Sequence, residues 1–436
     1  MAVSIKVHKG TDTIGGTCIE VIADSGRLIL DLGSPLMESG GGELDIERLQ
    51  NPSVENGVLS DVEGLFGGNT DKPILGVLLS HAHPDHFGLM DYVDKTIPIY
   101  MSSESKAMIE VGNVFYPPEM HLSKAIKRCD CFEQWKAFSL GDFTITPYLM
   151  DHSAFGASSL LIEVEGKRIL YSGDLRAHGR KEESFRNLPK HVGHIDCMLM
   201  EGTTLGGKHH VGFDSEEAVE KGFAEGMSDN NLTCVQAAGS NIDRIVSLYR
   251  ACKRKQKIMV IDLYQYHMLM QAKQFSSALP PHDGDHLRVF FERNQEAKMK
   301  EHGLGDLLIS ARTLEIYPGD MIRQAPEMVL RLSWGFMEKI IQKLGSPEGM
   351  MFIYSMWQGY LEKGDRGKSM ADMPRKYGGE WLHVHTSGHA WLEDLQTLTQ
   401  AIQPNKLVPI HTLQGDDFVN YFENVVRIKD GEELVV

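Results

Sequence analysis

The sequence of 436 residues contains little cysteine, no long apolar run and no excess of positive charge. Its six cysteines are scattered along the chain, whereas disulfide frameworks belong mainly to short secreted domains. No run approaches the roughly 18 uninterrupted apolar residues of a membrane helix, and the first residues lack the basic and apolar regions of a secretory signal. These absences predict a cytoplasmic protein that does not associate with a membrane.

The charge balance weighs against one class of function. The chain has 60 acidic and 44 basic residues and a formal net charge of −16. A non-specific nucleic-acid binder usually presents a basic surface, because phosphate neutralisation supplies much of its affinity. The acidity leaves open a local basic groove or a site at which bound metal ions provide the positive charge.

The pattern of apolar residues divides the chain into three segments. Residues 1–205 contain short apolar strands, several of which end at an acidic residue or a histidine. Residues 206–375 alternate helices and strands, including predicted strands at 306–310 and 350–354, which is typical of a parallel sheet covered by helices. From 376 to 436 the first pattern resumes with a predicted strand at 381–385. We therefore expect one α/β domain interrupted by another, with a long, partly ordered loop over 39–71.

A compact group of potential metal ligands follows the predicted strand at 74–79. His81, His83, Asp85 and His86 lie within six residues. Imidazole and carboxylate groups are natural ligands for zinc and similar divalent ions. His81 and His83 can converge on one ion, whereas the adjacent Asp85 and His86 point to a second. A surface loop of solvated histidines is the alternative, and this density of ligands after an apolar strand disfavours it.

This H-x-H-x-D-H string resembles the signature of the metallo-β-lactamase superfamily. The resemblance implies an αββα sandwich and a site for two divalent metal ions. It assigns the first ion to His81, His83 and His152, and the second ion to Asp85, His86 and His411. It makes Asp174 the bridge between the ions, and Asp31 the residue that orients the histidines by hydrogen bonding.

Three later positions resemble the β-CASP group of that superfamily. Glu201, His389 and His411 match its three motifs in order, and the inserted segment lies between the first two. The motif Ser387-Gly388-His389, followed by a strand that ends in Pro-Ile-His, resembles ribonuclease J. The likeness implies a nuclease that hydrolyses RNA, by end-first or internal cleavage, and it leaves a homo-oligomer open.

The resemblance also implies a mechanism. Two divalent ions, held by ligands that include Asp85 and Asp174, would supply a hydroxide for attack on phosphorus. His389 protonates the leaving oxygen, and Glu201 orients His389 and raises its pKa. Five histidine ligands favour zinc, with manganese as the alternative.

A second set of residues in the inserted segment is predicted to bind phosphate. Ser240 and Asp243 form a plausible capping box at a helix start, where free N–H groups attract an anion. The alternative is a simple helix cap with a solvated arginine. The predicted phosphate and RNA contacts are Ser240, Asn241, Arg244, Ser387 and Gly388.

Some features depart from ribonuclease J, and other functions remain open. The segment 354–359 lacks the Pro- and Gly-containing pattern of that family, and the sequence ends soon after His411. The substrate channel and the assembly of the family are therefore not assumed for this chain. A hydrolase of a small ester, thioester or lactone would suit the same metals and the acidic charge. A catalytically silent RNA-binding subunit is disfavoured by the intact set of ligands.

Overall fold

The computed structural model describes residues 2–38, 41–42, 44–116, 122–206, 212–282, 284–345, 348–362 and 364–436. The chain divides into two compact units. Unit 1 comprises Met1–Glu110, Glu119–Lys208 and Gly388–Val436. Unit 2 comprises Val111–Pro118 and His209–Ser387. Unit 1 is thus built from the two ends of the chain, and most of unit 2 is inserted between them.

The helices and strands are numbered in chain order. The strands are β1 (Ser4–Lys9), β2 (Cys18–Ala23), β3 (Gly26–Leu30), β4 (Ile74–Leu78), β5 (Ile99–Ser102), β6 (Cys129–Phe132), β7 (Phe138–Leu140), β8 (Phe143–Leu149), β9 (Ser158–Val164), β10 (Lys167–Tyr171), β11 (Cys197–Glu201), β12 (Thr233–Ala237), β13 (Ile258–Asp262), β14 (Leu287–Phe290), β15 (Glu315–Ile316), β16 (Met328–Arg331), β17 (Met351–Ser355), β18 (Glu380–His383), β19 (Lys406–Ile410) and β20 (Glu433–Val435). The helices are α1 (Ile46–Gln50), α2 (Pro84–Phe87), α3 (Ser103–Phe115), α4 (Glu182–Val192), α5 (Glu216–Gly226), α6 (Ile242–Arg254), α7 (Leu263–Ala272), α8 (Arg293–Glu301), α9 (Gly305–Arg312), α10 (Pro318–Arg323), α11 (Trp334–Leu344), α12 (Gly359–Glu362), α13 (Gly364–Tyr377) and α14 (Leu392–Ile402).

Unit 1 contains two mixed sheets packed face to face. The first has the strand order β20-β1-β2-β3-β4-β5-β6, and the second has the order β19-β11-β10-β9-β8-β7. Apolar side chains of both sheets share one core, including Leu28 and Leu78 from the first sheet and Leu160 and Leu199 from the second. Further buried clusters cover the outer faces, with α2 on the first sheet and α4 and α14 on the second. This layering is the αββα sandwich that the sequence implies.

Unit 2 contains a single parallel sheet of seven strands in the order β15-β14-β13-β16-β12-β17-β18. Two buried clusters lie on its two faces. One cluster is formed with α5, α6 and α7, and the other with α10, α11 and α13. The α/β class predicted for the chain and the parallel sheet predicted for the insertion are confirmed.

The structure corrects three predictions of local structure. Residues 306–310 lie in helix α9, because Leu308 and Ala311 are buried three residues apart while Ile309 is 69% exposed. Strand β18 pairs with β17 in the sheet of unit 2, so the return to unit 1 comes at Gly388 and not at 376. Between 44 and 71, the predicted loop contains helix α1 and apolar side chains, such as Val58 and Leu65, that are buried in the core of unit 1.

Within the part of the chain that the structure describes, no helix combines the length and the apolarity needed to cross a bilayer.

Candidate metal centre and active site

The predicted metal-binding and catalytic residues of unit 1 lie at the carboxyl ends of strands. Asp31 follows β3, and the histidine loop follows the parallel neighbour β4. In the second sheet β8, β10, β11 and β19 run in one direction, since β8 and β10 both pair antiparallel with β9 and β10, β11 and β19 are parallel neighbours. His152, Asp174, Glu201 and His411 stand at or just beyond the ends of these strands. Strand direction therefore gathers residues from distant parts of the sequence.

The first cluster of potential ligands contains His81, His83, His152 and Asp174, whose candidate ligand atoms all lie within 4.8 Å of one another. Nδ1 of His83 is 3.1 Å from Nε2 of His81 and 3.1 Å from Nε2 of His152. Oδ2 of Asp174 is 3.7 Å from Nε2 of His81. Imidazole nitrogens with one carboxylate are a donor set that zinc prefers.

The second cluster contains Asp85, His86, Asp174 and His411, within the same 4.8 Å limit. Nε2 of His86 is 3.1 Å from Oδ2 of Asp174 and 3.8 Å from Oδ2 of Asp85. Nδ1 of His411 is 3.3 Å from Oδ1 of Asp174. The Asp174 carboxylate is thus common to both clusters, at the position that the sequence assigned to a bridge.

The buried polar atoms at the centre of these clusters fit a pair of cations. Asp174 is 2% exposed, and neither of its carboxylate oxygens has a hydrogen-bond partner among the described residues. Nε2 of His86 is also buried without one, since its contact with Asp174 lacks hydrogen-bond geometry. An unsatisfied buried carboxylate is costly, and coordination to metal ions is one of the few arrangements that offsets the cost.

Two glycines permit the close packing of the ligand loops. Gly173 has a φ of 55° directly before Asp174, and a Cβ there would lie 2.8 Å from the carbonyl oxygen of Ser158. A Cβ on Gly33 would lie 1.6 Å from the carbonyl oxygen of Asp85. Side chains at these positions would displace the bridging carboxylate or the histidine loop.

Asp31 anchors the histidine loop from beneath. Its carboxylate accepts hydrogen bonds from the amide and the hydroxyl of Ser80, at 2.6 and 2.7 Å, and from the hydroxyl of Tyr171. Nδ1 of His86 lies 2.7 Å from Oδ2 of Asp31. With the Nδ1 proton donated to Asp31, the Nε2 lone pair of His86 faces the second cluster.

His152 and His81 are oriented in a similar way. Nδ1 of His152 donates to the carbonyl oxygen of Gly388 at 2.6 Å, which leaves Nε2 directed to the first cluster. Nδ1 of His81 is 3.0 Å from Oγ of Ser80. The outer nitrogens of three ligand histidines are therefore held by backbone or side-chain oxygens.

Burial sets the protonation of the first cluster. Desolvation lowers the pKa of His81 and His152 well below the usual value and lowers the pKa of His83 to about 4. Burial also acts against protonation of His86, but the charges of Asp174, Asp31 and Asp85 outweigh it and raise the pKa of that imidazole. The first cluster is therefore three neutral imidazoles at pH 7, the form that binds metal.

Beside the clusters, Glu201 and His389 form a hydrogen-bonded pair. Nδ1 of His389 is 2.9 Å from Oε2 of Glu201, while Oε1 of Glu201 accepts the amide N–H of Leu175 at 2.9 Å. The His389 side chain is 23% exposed, and that of Glu201 is 1% exposed. Desolvation opposes protonation of His389, but the charges of Glu201 and Asp174 raise its pKa to about 9. The pair is a proton-bearing imidazole with a buried carboxylate behind it.

The residues predicted to bind phosphate are distributed between the units. Gly388 belongs to unit 1, and Ser387 belongs to unit 2 with the segment 239–244. The side chain of Asn241 accepts the amide N–H of Arg244, so Asn241 and not Ser240 caps α6.

Arg244 differs from its predicted role. It is 1% exposed, pairs with Glu216 at 3.0 Å and donates to Oγ of Ser355 at 2.7 Å. Its guanidinium is therefore part of the internal structure of unit 2, neither solvated nor presented to a ligand.

The structure adds several residues to the site that the sequence analysis did not predict. Ser80 and Tyr171 hold Asp31, and both stand next to motif residues at strand ends. Thr17 and Gly15 approach His411, with the Gly15 amide 3.1 Å from Nε2. A buried polar residue at the end of an apolar strand is a sign that could have identified Ser80 and Tyr171. The two N-terminal residues have no comparable signal.

Comparisons with known proteins agree with this geometry. Residues 65–225 match the model of the beta-lactamase superfamily domain. Ribonuclease J of Helicobacter pylori (strain ATCC 700392 / 26695) is 23% identical over 398 residues, which cover 86% of this chain and 55% of that protein. The RNase J-like protein of Methanocaldococcus jannaschii is 26% identical over 212 residues, covering 46% of this chain and 42% of the relative.

A further relative and a solved structure extend the comparison. Endoribonuclease YSH1 of Gibberella zeae is 23% identical over 208 residues, covering 43% of this chain and 23% of the relative. The crystal structure of a protein of unknown function from Enterococcus faecalis V583 matches with a TM-score of 0.80 at 22% identity, covering 100% of both chains. That likeness shows a shared fold.

By these matches residues 65–225 resemble the metallo-β-lactamase superfamily, and the chain resembles the β-CASP group of that superfamily. Within that group it resembles ribonuclease J, and it spans about half the length of the ribonuclease J relatives that it matches, 55% in the first case.

Proposed function

We propose that this chain is a metal-dependent ribonuclease that hydrolyses phosphodiester bonds of RNA. The observation that carries the proposal is the sharing of Asp174 by two clusters of metal ligands, with the Glu201–His389 pair beside them. Relatives named as ribonucleases support an RNA substrate. The six free cysteines are compatible with the cytoplasmic location predicted from the sequence, which stays a prediction.

His81, His83 and His152 would hold one divalent ion, Asp85, His86 and His411 the other, and Asp174 would contact both. Paired divalent ions supply an activated water and offset the negative charge that grows on a phosphate. The predominance of imidazole favours zinc, with manganese as the alternative.

We assign to His389 the protonation of the leaving group. Hydrolysis adds water across a P–O bond, and the departing oxygen needs a proton as that bond breaks. His389 shares its Nδ1 proton with Glu201, and Nε2–H is the group that we assign to the donation. A pKa of about 9 keeps the imidazole protonated at pH 7, and its partial exposure makes it accessible to a substrate.

The proposed RNA contacts outside the ligand clusters are Ser240, Asn241, Ser387 and Gly388. Arg244 would act indirectly, since its ion pair with Glu216 and its cap from Asn241 hold the start of α6 in place.

The test is cleavage of a 5′-monophosphorylated RNA by the full chain loaded with zinc or manganese. Asp174→Ala should abolish cleavage, while the matched variant Asp372→Ala, which changes an exposed aspartate in α13, should retain it. The ladder of products will distinguish end-first digestion from internal cutting.

A metal-loaded protein that leaves RNA intact but hydrolyses a small ester, thioester or lactone would replace this proposal with the alternative. The net charge of −16 is the observation that favours that alternative. RNA binding without any cleavage by the metal-loaded chain would indicate a silent binding subunit, which the complete ligand set disfavours.

A further inference from the structure

Arg176 and Asp151 form an ion pair that is fully enclosed in unit 1. Both side chains are 0% exposed, and Nε of Arg176 donates to Oδ1 of Asp151 at 3.2 Å. Arg176 is among the largest fully buried side chains of the described residues. The desolvation of two charges offsets most of their attraction, so a buried pair adds little to stability by itself. The place of this pair in the fold indicates another role.

The pair joins two loops that carry metal ligands. Asp151 directly precedes His152 in the loop after β8, and Arg176 lies two residues after Asp174 in the loop after β10. Strand β9 separates β8 from β10 in the second sheet. The ends of β8 and β10 are therefore about 10 Å apart, at two strand spacings. Nevertheless, Nε2 of His152 lies 4.0 Å from Oδ2 of Asp174. Contacts between the loops, in addition to the ladder of the sheet, are needed to bring these groups together.

The loop after β10 is folded around Asp151. The amide N–H of Arg176 donates to the carbonyl oxygen of Asp151 at 2.7 Å, and the amide N–H of Gly179 donates to its Oδ2 at 2.7 Å. A Cβ on Gly179 would lie 2.1 Å from Oδ1 of Asp151 and 2.5 Å from Nε of Arg176, so this approach requires a glycine. Asp151 is therefore bonded to the segment 176–179 through both its backbone and its side chain.

The bridging carboxylate has further support that does not involve the ion pair. Leu175, next to Asp174, donates its amide N–H to Oε1 of Glu201, and its carbonyl oxygen accepts the amide N–H of Ala390 at 2.7 Å. A weaker ion pair should therefore displace His152 more than Asp174.

The second cluster has anchors of its own. Asp31 holds Nδ1 of His86, and the amide N–H of His411 donates to the carbonyl oxygen of Gly10 at 2.7 Å. His152 belongs to the first cluster and not to the second. A change in the ion pair should therefore act mainly on the first cluster.

We propose that Arg176 is a positioning residue for the first cluster, because its hold on Asp151 keeps His152 in place for zinc binding. Arg176 contributes no ligand, and it acts on the ion through the loop that carries His152. The proposal rests on the ligand assignment within the proposed function, and it does not depend on RNA as the substrate.

The zinc affinity of each cluster can be measured separately in the full chain. His411→Ala removes a ligand of the second cluster, so the zinc site that remains reports on the first, and His83→Ala does the reverse. Arg176→Lys, which keeps the charge and loses the guanidinium fork, is introduced into both backgrounds. Arg27→Lys is the matched control, because Arg27 forms a buried ion pair with Glu20 near the start of β3. Competition with a chelator gives the zinc dissociation constants.

Arg176→Lys should weaken zinc binding by about 10–100-fold in the His411→Ala background, as is typical when a contact that orients a ligand is lost. It should have a much smaller effect in the His83→Ala background, and Arg27→Lys should have little effect in either. Equal weakening in the two backgrounds, or no weakening in the first, would overturn the proposal. A purely structural role of the ion pair would not distinguish the two clusters.

If Arg176→Lys does not fold, the double variant Asp151→Asn with Arg176→Met gives the same comparison. It removes both charges together, because a single buried charge without its partner is strongly destabilising. The failure of this proposal can be distinguished from that of the proposed function. A wild type that binds two zinc ions and leaves RNA intact would refute the ribonuclease alone. A wild type that binds zinc at neither cluster would refute the ligand assignment and this proposal with it.

Discussion

The Nδ1 atom of His389 lies 2.9 Å from Oε2 of Glu201, and the two residues belong to segments 188 positions apart in the sequence. Glu201 ends β11, while His389 follows the return of the chain to unit 1. The carboxylate is buried and the imidazole is partly exposed. A buried negative charge thus lies behind a partly exposed imidazole.

The Glu201→Gln variant should change the pH dependence of RNA cleavage. The protonated His389 is present below a pKa of about 9 and is lost above it, so log kcat/KM of the wild type should fall as pH rises through 9. Removing the carboxylate charge lowers that pKa, and the falling limb should move to lower pH by about 1–3 units. Glu423→Gln, at an exposed glutamate, should leave the limb in place. An unmoved limb in Glu201→Gln would show that Glu201 does not tune His389.

Single ligand substitutions should separate the two metal positions. His83→Ala should reduce the bound zinc or manganese from about two ions per chain to about one, and His411→Ala should do the same through the other cluster. Asp174→Ala should weaken both positions, since its carboxylate is shared. Metal analysis of the purified full chain provides the measurement, with the exposed His194→Ala as the control. Loss of a single ion from Asp174→Ala would contradict the shared role.

Tyr171→Phe should weaken metal binding although Tyr171 touches no ligand position directly. Its hydroxyl donates to Asp31, which holds Nδ1 of His86. Loss of such outer hydrogen bonds typically costs about 10–100-fold in metal affinity or activity. Competition with a chelator measures the affinity, and Tyr148→Phe, whose hydroxyl meets only a backbone carbonyl, is the control. An equal loss in both variants would indicate general destabilisation instead of positioning.

His267→Phe should make unit 2 more resistant to mild acid. Burial lowers the pKa of His267 to about 4 in the folded protein, against about 6.5 in an unfolded chain. Protonation therefore favours the unfolded chain, and the stability from neutral His267 is complete above pH 6.5 and is lost as pH falls toward 4. The loss is about 1.4 kcal/mol per pH unit in that window.

Urea unfolding at pH 7.5 and pH 5 tests this expectation. The fall in the free energy of unfolding between the two pH values should be smaller by about 2 kcal/mol in His267→Phe than in the wild type. His302→Phe, at an exposed histidine, should behave like the wild type. The same fall in all three proteins would show that His267 does not control acid stability.

Much of unit 1 could be predicted because its ligands sit in local strings. His81, His83, Asp85 and His86 lie beside an apolar strand, and strand direction is enough to bring them near the ends of other strands. The shared position of Asp174 required a resemblance, because a lone aspartate after a strand is more often a turn residue. The partners of Arg244 could not be predicted, since its contacts with Glu216 and Ser355 depend on packing between distant elements of unit 2.

The unit to which β18 belongs and the helical state of α9 could not be predicted from local sequence. Strand β18 has a pattern like those of unit 1, and only its pairing with β17 assigns it to unit 2. Helix α9 contains the apolar run Leu307-Leu308-Ile309, which suits a strand until the exposure of Ile309 is known. The deciding facts are a strand pairing in the first case and the exposure of one side chain in the second, and both belong to the folded protein.

The interrupted layout of unit 1 has a consequence for the order of events on the ribosome. Synthesis delivers His81, His83, His152 and Asp174 early, then the segment His209–Ser387 of unit 2, and only afterwards β19 with His411. Strand β19 pairs with β11 and completes the second sheet. A nascent chain therefore carries the side chains of its first cluster long before those of its second, and the ligand set is complete only when His411 has left the exit tunnel.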